Sequence, residues 1–284
     1  MMTRLGPFTG ARIFLVSFGL AMAGVFPAPP VLLGQVQINA DQQALDAFKK
    51  GDYDTAVACA TLAIHLNPKD AKGYYQRGIA YQVQGDNDKA IEDLDRAIQL
   101  DPKYSNSYYW RGDAYQAKGD NDKAIADFNL AIQGDSEFPL HCLIDRGIAY
   151  SATGNYGKAI EDFSHAIQLK PEYMDSYIKS AYNNLAWLLA TCPQPHFRDG
   201  KQAVGYATKA CELTHWKDPS TLDTLAAAYA EAGDFDHAVK WETQFLALAD
   251  LSAKDEADGK IRLALYQGRK PYHEANWNKA DGHP

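Results

Sequence analysis

One phrase returns down this chain at a fixed distance. It reads RGIAYQVQGDNDKAIEDLDRAIQLDP from Arg77, RGDAYQAKGDNDKAIADFNLAIQGDS from Arg111 and RGIAYSATGNYGKAIEDFSHAIQLKP from Arg146. The first two copies start 34 residues apart and the third 35 later. A period of this length means one supersecondary unit used repeatedly. The chain is therefore expected to grow by stacking along an axis rather than around one core.

The register assigns roles. Gly51, Gly85, Gly119, Gly154 and Gly233 are each followed by Asp or Asn. Gly supplies a left-handed helix stop, and the next residue can cap the following helix. Five residues past each Gly stands Ala56, Ala90, Ala124, Ala159 or Ala238, and seven further on Ala63, Ala97, Ala131 or Ala166. Small residues one heptad apart let a partner helix approach closely. Gly78, Gly112 and Gly147 answer from the first helix, with Tyr81, Tyr115 and Tyr150 three residues on to fill the gap. Pro68, Pro102 and Pro171 end the second helix.

This arrangement resembles the tetratricopeptide repeat. The resemblance implies an all-α, right-handed α-solenoid of about six helix pairs with a C-terminal capping helix. The expected units are 37–70, 71–104, 105–138, 140–173, a degenerate 174–218 and 219–252, with the cap at 253–268. In the degenerate unit, PQPHFRDG replaces the usual short turn and is expected to protrude. Ile261, Leu263, Ala264 and Leu265 are read as the cap's apolar face, and 269–284 as a loose tail. Arg77, Arg111 and Arg146 each precede Asp93, Asp127 and Asp162 by 16 residues, which predicts repeated helix-to-helix ion pairs.

The N-terminus has a different character. Arg4 and Arg12 precede the apolar run Ile13–Phe26, and the first acid is Asp41. With Ala21-Met22-Ala23 this fits a secretory signal peptide over 1–23, cleaved after Ala23, and a flexible lead-in over 24–36. An uncleaved anchor over 13–26 is the alternative. Export places the protein in the periplasm or outside the cell. The net charge of −8 lacks the clustered basic face that a nucleic-acid groove needs.

No GxSxG, HExxH or P-loop occurs, so a non-catalytic protein without cofactors is expected. Cys192-x-x-x-His196 and Cys211-x-x-x-His215 have zinc-type composition. Their places in the two helices separate the pairs by roughly 15 Å, so zinc stands only as an alternative. The same register disfavours disulfides. Cys59, Cys142, Cys192 and Cys211 are read as small buried residues. Trp187, Trp216 and Trp241 are read as core.

The family lines a concave groove with its first helices. Carried to matching positions, this implies peptide-binding residues Lys72, Tyr75, Ile79 and Gln82; Asn106, Tyr109, Asp113 and Gln116; and His141, Ile144, Ile148 and Ser151. The family's carboxylate clamp of Lys, Asn and Arg is missing from these positions. The resulting expectation is a protein–protein interaction scaffold that holds a peptide or partner helix, with tyrosines as anchors or as packing between repeats. A self-associating structural adaptor is the other reading, with the chain a monomer or a weak homo-oligomer.

Overall fold

The computed structural model describes residues 30–134, 136–169, 175–248 and 251–274. The expected signal peptide and residues 275–284 of the expected tail lie outside them. The described residues form thirteen α-helices and no strand. The chain divides after Asp101 into two compact units.

The first unit holds two helix pairs, α1 (Pro30–Lys49) with α2 (Tyr53–Leu66) and α3 (Ala71–Val83) with α4 (Asn87–Leu100). Helix α1 begins at Pro30, so residues 30–36 belong to it and not to a lead-in. Proline is tolerated in the first helical turn, where its missing N–H costs no intrahelical bond.

The second unit holds four pairs and a closing helix. These are α5 (Ser105–Ala117) with α6 (Asn121–Gln133), α7 (Pro139–Ala152) with α8 (Tyr156–Leu169), α9 (Asp175–Thr191) with α10 (Gly200–Leu213), α11 (Pro219–Glu231) with α12 (Phe235–Leu246), and α13 (Ala253–Gln267). Within this unit each second helix packs on the first helix of the next pair, and the first helices α5, α7, α9, α11 and α13 neighbour one another in order. This is the all-α solenoid that the period predicts.

The repeat's punctuation works as its chemistry requires. All five turn glycines have φ between +76° and +83°, where a side chain would be strained. Gly85 N–H bonds Gln82 O and Asp86 N–H bonds Tyr81 O, both at 2.9 Å, closing the C-terminus of α3. The Asp86 carboxylate then accepts from Lys89 N–H and starts α4. Close packing follows from the small residues. A Cβ on Gly78 would meet Leu94 at 2.8 Å, on Gly112 Phe128 at 2.9 Å, and on Gly147 Phe163 at 2.7 Å. Those contacts are too short for real atoms, so the absence of a side chain sets the interhelical distance.

The expected ion pairs are present and bidentate. Arg77 reaches Asp93 at 2.7 and 2.8 Å, while Arg111 reaches Asp127 and Arg146 reaches Asp162 at 2.8 and 2.6 Å each. The three aspartates are buried. A planar guanidinium suits such a carboxylate because two parallel N–H bonds meet both oxygens. In the last two pairs the same register places hold Leu185 with Tyr206 and Leu225 with Trp241, all within the largest apolar core. The repeat thus solves one packing position with charge early and with carbon late.

The degenerate unit does not protrude as expected. Its loop forms a short 3₁₀ turn, Pro195–Phe197, and folds back. Phe197 packs beside Tyr156, Asp199 N–H bonds Leu189 O at 2.9 Å, and Arg198 reaches Cys192 O at 2.7 Å and Glu231 at 2.9 Å. A loop with an aromatic and an arginine gains more from docking than from solvent. Pro195 and His196 stay exposed.

Candidate functional site

The first-helix face was the expected site, and its residues divide by burial. On α3, Lys72 is exposed, Tyr75 and Gln82 are half-buried, and Ile79 is buried. On α5, Asn106 and Tyr109 are buried while Asp113 and Gln116 are half-buried. On α7, His141 and Ile144 are buried, Ser151 is half-buried, and Ile148 is exposed. Asn106 accepts hydrogen bonds from Ser136 Oγ and Glu137 N–H, both at 3.0 Å, and so ties α5 to the segment before α7.

Tyr109 is the main correction. Its ring lies among Trp110, Phe128, Phe138 and His141, and its hydroxyl donates to Asp145 at 3.2 Å. At 6% exposure it cannot anchor a ligand; it packs one repeat on the next. Gln116 Nε2 donates to the Asp145 backbone carbonyl at 2.9 Å and joins the same two helices. Position in the register indicated the correct face, but burial depends on the neighbouring repeat.

Around Tyr109 the face is acidic. Burial, and then the charge of Asp113, push the Asp145 carboxyl up to about 7, against a smaller lowering by the Tyr109 hydroxyl. Burial raises Asp113 as well. Burial lowers His141, whose ring lies 3.9 Å from that of the exposed Tyr177 on α9.

The four zinc-type residues are not gathered. Cys192 and Cys211 are buried, and Cys211 Sγ donates to Thr221 O at 3.3 Å. His196 and His215 are exposed. Among the described residues no three His, Cys, Asp or Glu side chains come together as a metal would need. All four cysteines are buried, as small apolar residues would be. Burial pushes the Cys142 thiol up to about 12 and the Cys211 thiol to about 11, which suppresses the reactive thiolate.

The tetratricopeptide repeat pattern matches residues 71–104, 94–126 and 141–173. The chain is a tetratricopeptide repeat protein. No curated protein matches it in sequence. Its solved neighbours include PilW, a widely conserved type IV pilus biogenesis factor, with a TM-score of 0.65, 20% identity and coverage of 79% of this chain and 98% of PilW. PilF of Pseudomonas aeruginosa gives a TM-score of 0.64 at 15% identity, covering 81% and 98%. YrrB, a repeat protein with an unusual peptide-binding site, gives 0.55 at 17%, covering 74% and 96%. At these identities the likeness is one of fold.

The C-terminal end of this tetratricopeptide repeat protein holds features that the sequence reading missed. The cap α13 does not bury Ile261, which is 58% exposed. It buries Gly259, Arg262 and Tyr266 instead. A Cβ on Gly259 would meet Phe245 at 2.6 Å, so the cap approaches α12 through its glycine. Arg262 Nε stands 2.7 Å from Asp223 and 3.5 Å from Glu242, which is fully buried. The 2.7 Å approach is a charge contact, since neither Arg262 Nε nor Asp223 Oδ1 completes an aligned hydrogen bond. Burial, and then the charge of Asp223, push the Glu242 carboxyl well up, toward its protonated form. The signal was available: Glu242 occupies the place of Leu94, Phe128 and Phe163 in earlier units. An acid where a repeat wants an apolar side chain asks for a buried cation.

Residues 269–274 were expected to be loose, yet 271–274 lie against the first helices. Trp187 Nε1 donates to Glu274 Oε1 at 2.7 Å, and Glu274 N–H donates to Thr191 O at 2.9 Å. His273 Nε2 lies 2.7 Å from Glu231. The Arg262 guanidinium lies 5.8 Å from the ring centres of both Trp187 and Tyr272. Trp216, expected in the core, is 41% exposed and stacks on Trp241 at 5.0 Å.

Proposed function

We propose that this protein is a non-catalytic scaffold, exported from the cytoplasm, that holds an extended segment of a partner protein on the first-helix face of α5, α7 and α9. One observation carries the reading. The residue after the close-packing small side chain, which the family turns toward its ligand, changes from Asp113 to Ile148 while the Arg, Gly, Ala and Tyr around it are kept, and it becomes Trp187 in the divergent α9. Ile148 is left 37% exposed at the middle of this row, and the exposed Tyr177 of α9 lies against His141 of the same α7. Apolar exposure inside a row of otherwise settled positions suits a partner's apolar side chain.

Asp113 and Asp145 add carboxyl groups to the same face, and burial favours their protonated, hydrogen-bonding form over a charged one. The face is supported by rigid helix pairs, so binding requires little reordering of the receptor. Export rests on the composition of residues 1–23.

Ile148→Lys places a charge in the row without touching the core. Pull-down from the exported fraction with wild-type and variant protein is the test. A partner captured by the wild type should be lost from the variant at unchanged helicity. Equal capture by both would remove this face from consideration.

A further inference from the structure

The segment Tyr272–Glu274 is held the way a bound peptide is held. It is not helical, and it contacts three first helices in turn. Tyr272 lies over Arg262 of α13, His273 meets Glu231 at the end of α11, and Glu274 meets Trp187 and the Thr191 carbonyl on α9. Trp187 belongs to the row of Asp113 and Ile148: it follows the fully buried Ala186, as they follow Gly112 and Gly147. The receiving groups are set independently of the segment. Arg198 holds Glu231 at 2.9 Å, Trp187 sits on the core of α9, and Arg262 is fixed against Asp223. Each contact is one that an extended segment from another molecule could make with the same atoms.

We infer that the first-helix face over α9, α11 and α13 is a binding site for an extended aromatic–x–acidic segment, and that the chain's own Tyr272-His273-Glu274 occupies it as an intramolecular ligand. The specificity follows from the chemistry. The indole N–H of Trp187 takes a carboxylate, the Thr191 carbonyl takes a backbone N–H, and Glu231 takes an imidazole or cation. The flat Arg262 guanidinium takes an aromatic ring. A competing segment must displace the strap, so the strap sets a threshold for what the site accepts. This inference rests on reading the first-helix face as peptide-binding. Its test uses the chain's own sequence, so failure to capture a natural partner would leave it standing.

The experiment uses the full chain and a fluorescein-labelled peptide GRKPYHE, read by anisotropy. The Tyr272→Ala/Glu274→Ala variant should bind the peptide roughly tenfold tighter than wild type, because an occupied site lowers apparent affinity by its open fraction. Adding Trp187→Phe to that variant should reverse the gain. Equal binding by wild type and variant, or no effect of Trp187→Phe, overturns the proposal. Loss of helicity in the double variant also overturns it, since the strap would then be part of the core. Hydrogen exchange on the wild type gives a second reading. The Glu274 amide should exchange much faster than the amides of α11, and equal rates would count against a strap that opens by itself.

Discussion

Asp145 shows how one residue takes a role its sequence position does not announce. It sits one place before the repeated Arg146, where Gln76 and Trp110 stand in the preceding units. Burial against α5 and the nearby Asp113 raise it to about 7, far above the ordinary carboxylate value of about 3.9. The folded chain therefore binds a proton there that the unfolded chain releases. Between about pH 4 and pH 7 the folded state holds more protons, so stability falls as pH rises through that window. Asp113 acts in the same direction. His141 acts in the opposite one, because its lowered value makes the folded chain hold fewer protons just below pH 6.5. Melting at pH 5 and pH 8 separates these effects. Asp145→Asn should remove most of the Asp145 share, on the order of 2–3 kcal/mol of the pH-dependent loss. A variant with the wild-type pH slope would mean that Asp145 stays ionised in the fold.

At the scale of the element, the cap shows why a helix can be placed and yet be wrongly faced. Its span was legible from the apolar run that ends at Gly268, and the helix runs Ala253–Gln267, opened by the Ser252 side chain. Its buried side was read from apolar residues, but a closing helix buries whatever its neighbour demands. Here α12 presents Glu242 and α11 presents Asp223, so the cap turns Arg262 inward and leaves Ile261 in water. Breaking a buried charged group by removing one partner is costly, while changing an already neutral partner is not. Arg262→Met should destabilise the C-terminal end by about 3–5 kcal/mol, visible as faster hydrogen exchange through α13. Glu242→Gln should stay within about 1 kcal/mol of wild type at pH 7, because burial and the neighbouring Asp223 favour the protonated form of Glu242. A large loss in Glu242→Gln at pH 7 would show that it carries charge.

At the scale of the molecule, the chain combines a repeated body with a distinct N-terminal stretch. The proposed export predicts a mature protein that begins at Gly24. Loss of Arg4 and Arg12 would move the net charge from −8 to −10. N-terminal mass spectrometry of the exported fraction checks this. A protein that keeps Met1 and sediments with membranes would favour the anchor over 13–26.

The sequence by itself determined the solenoid, the places of the turns, the close-packing glycines and the Arg–Asp pairs. All of these repeat, and a repeat is a local contract between neighbouring helices that the period exposes. Only the tertiary structure decided that Tyr109 is packed and not presented, that the 193–199 loop docks, and that the segment Tyr272–Glu274 returns to Trp187 and Thr191. Those outcomes depend on contacts made once, between segments as far apart as residues 187 and 274. A side chain's burial there depends on which distant group arrives beside it, and no periodicity in the sequence records that arrival.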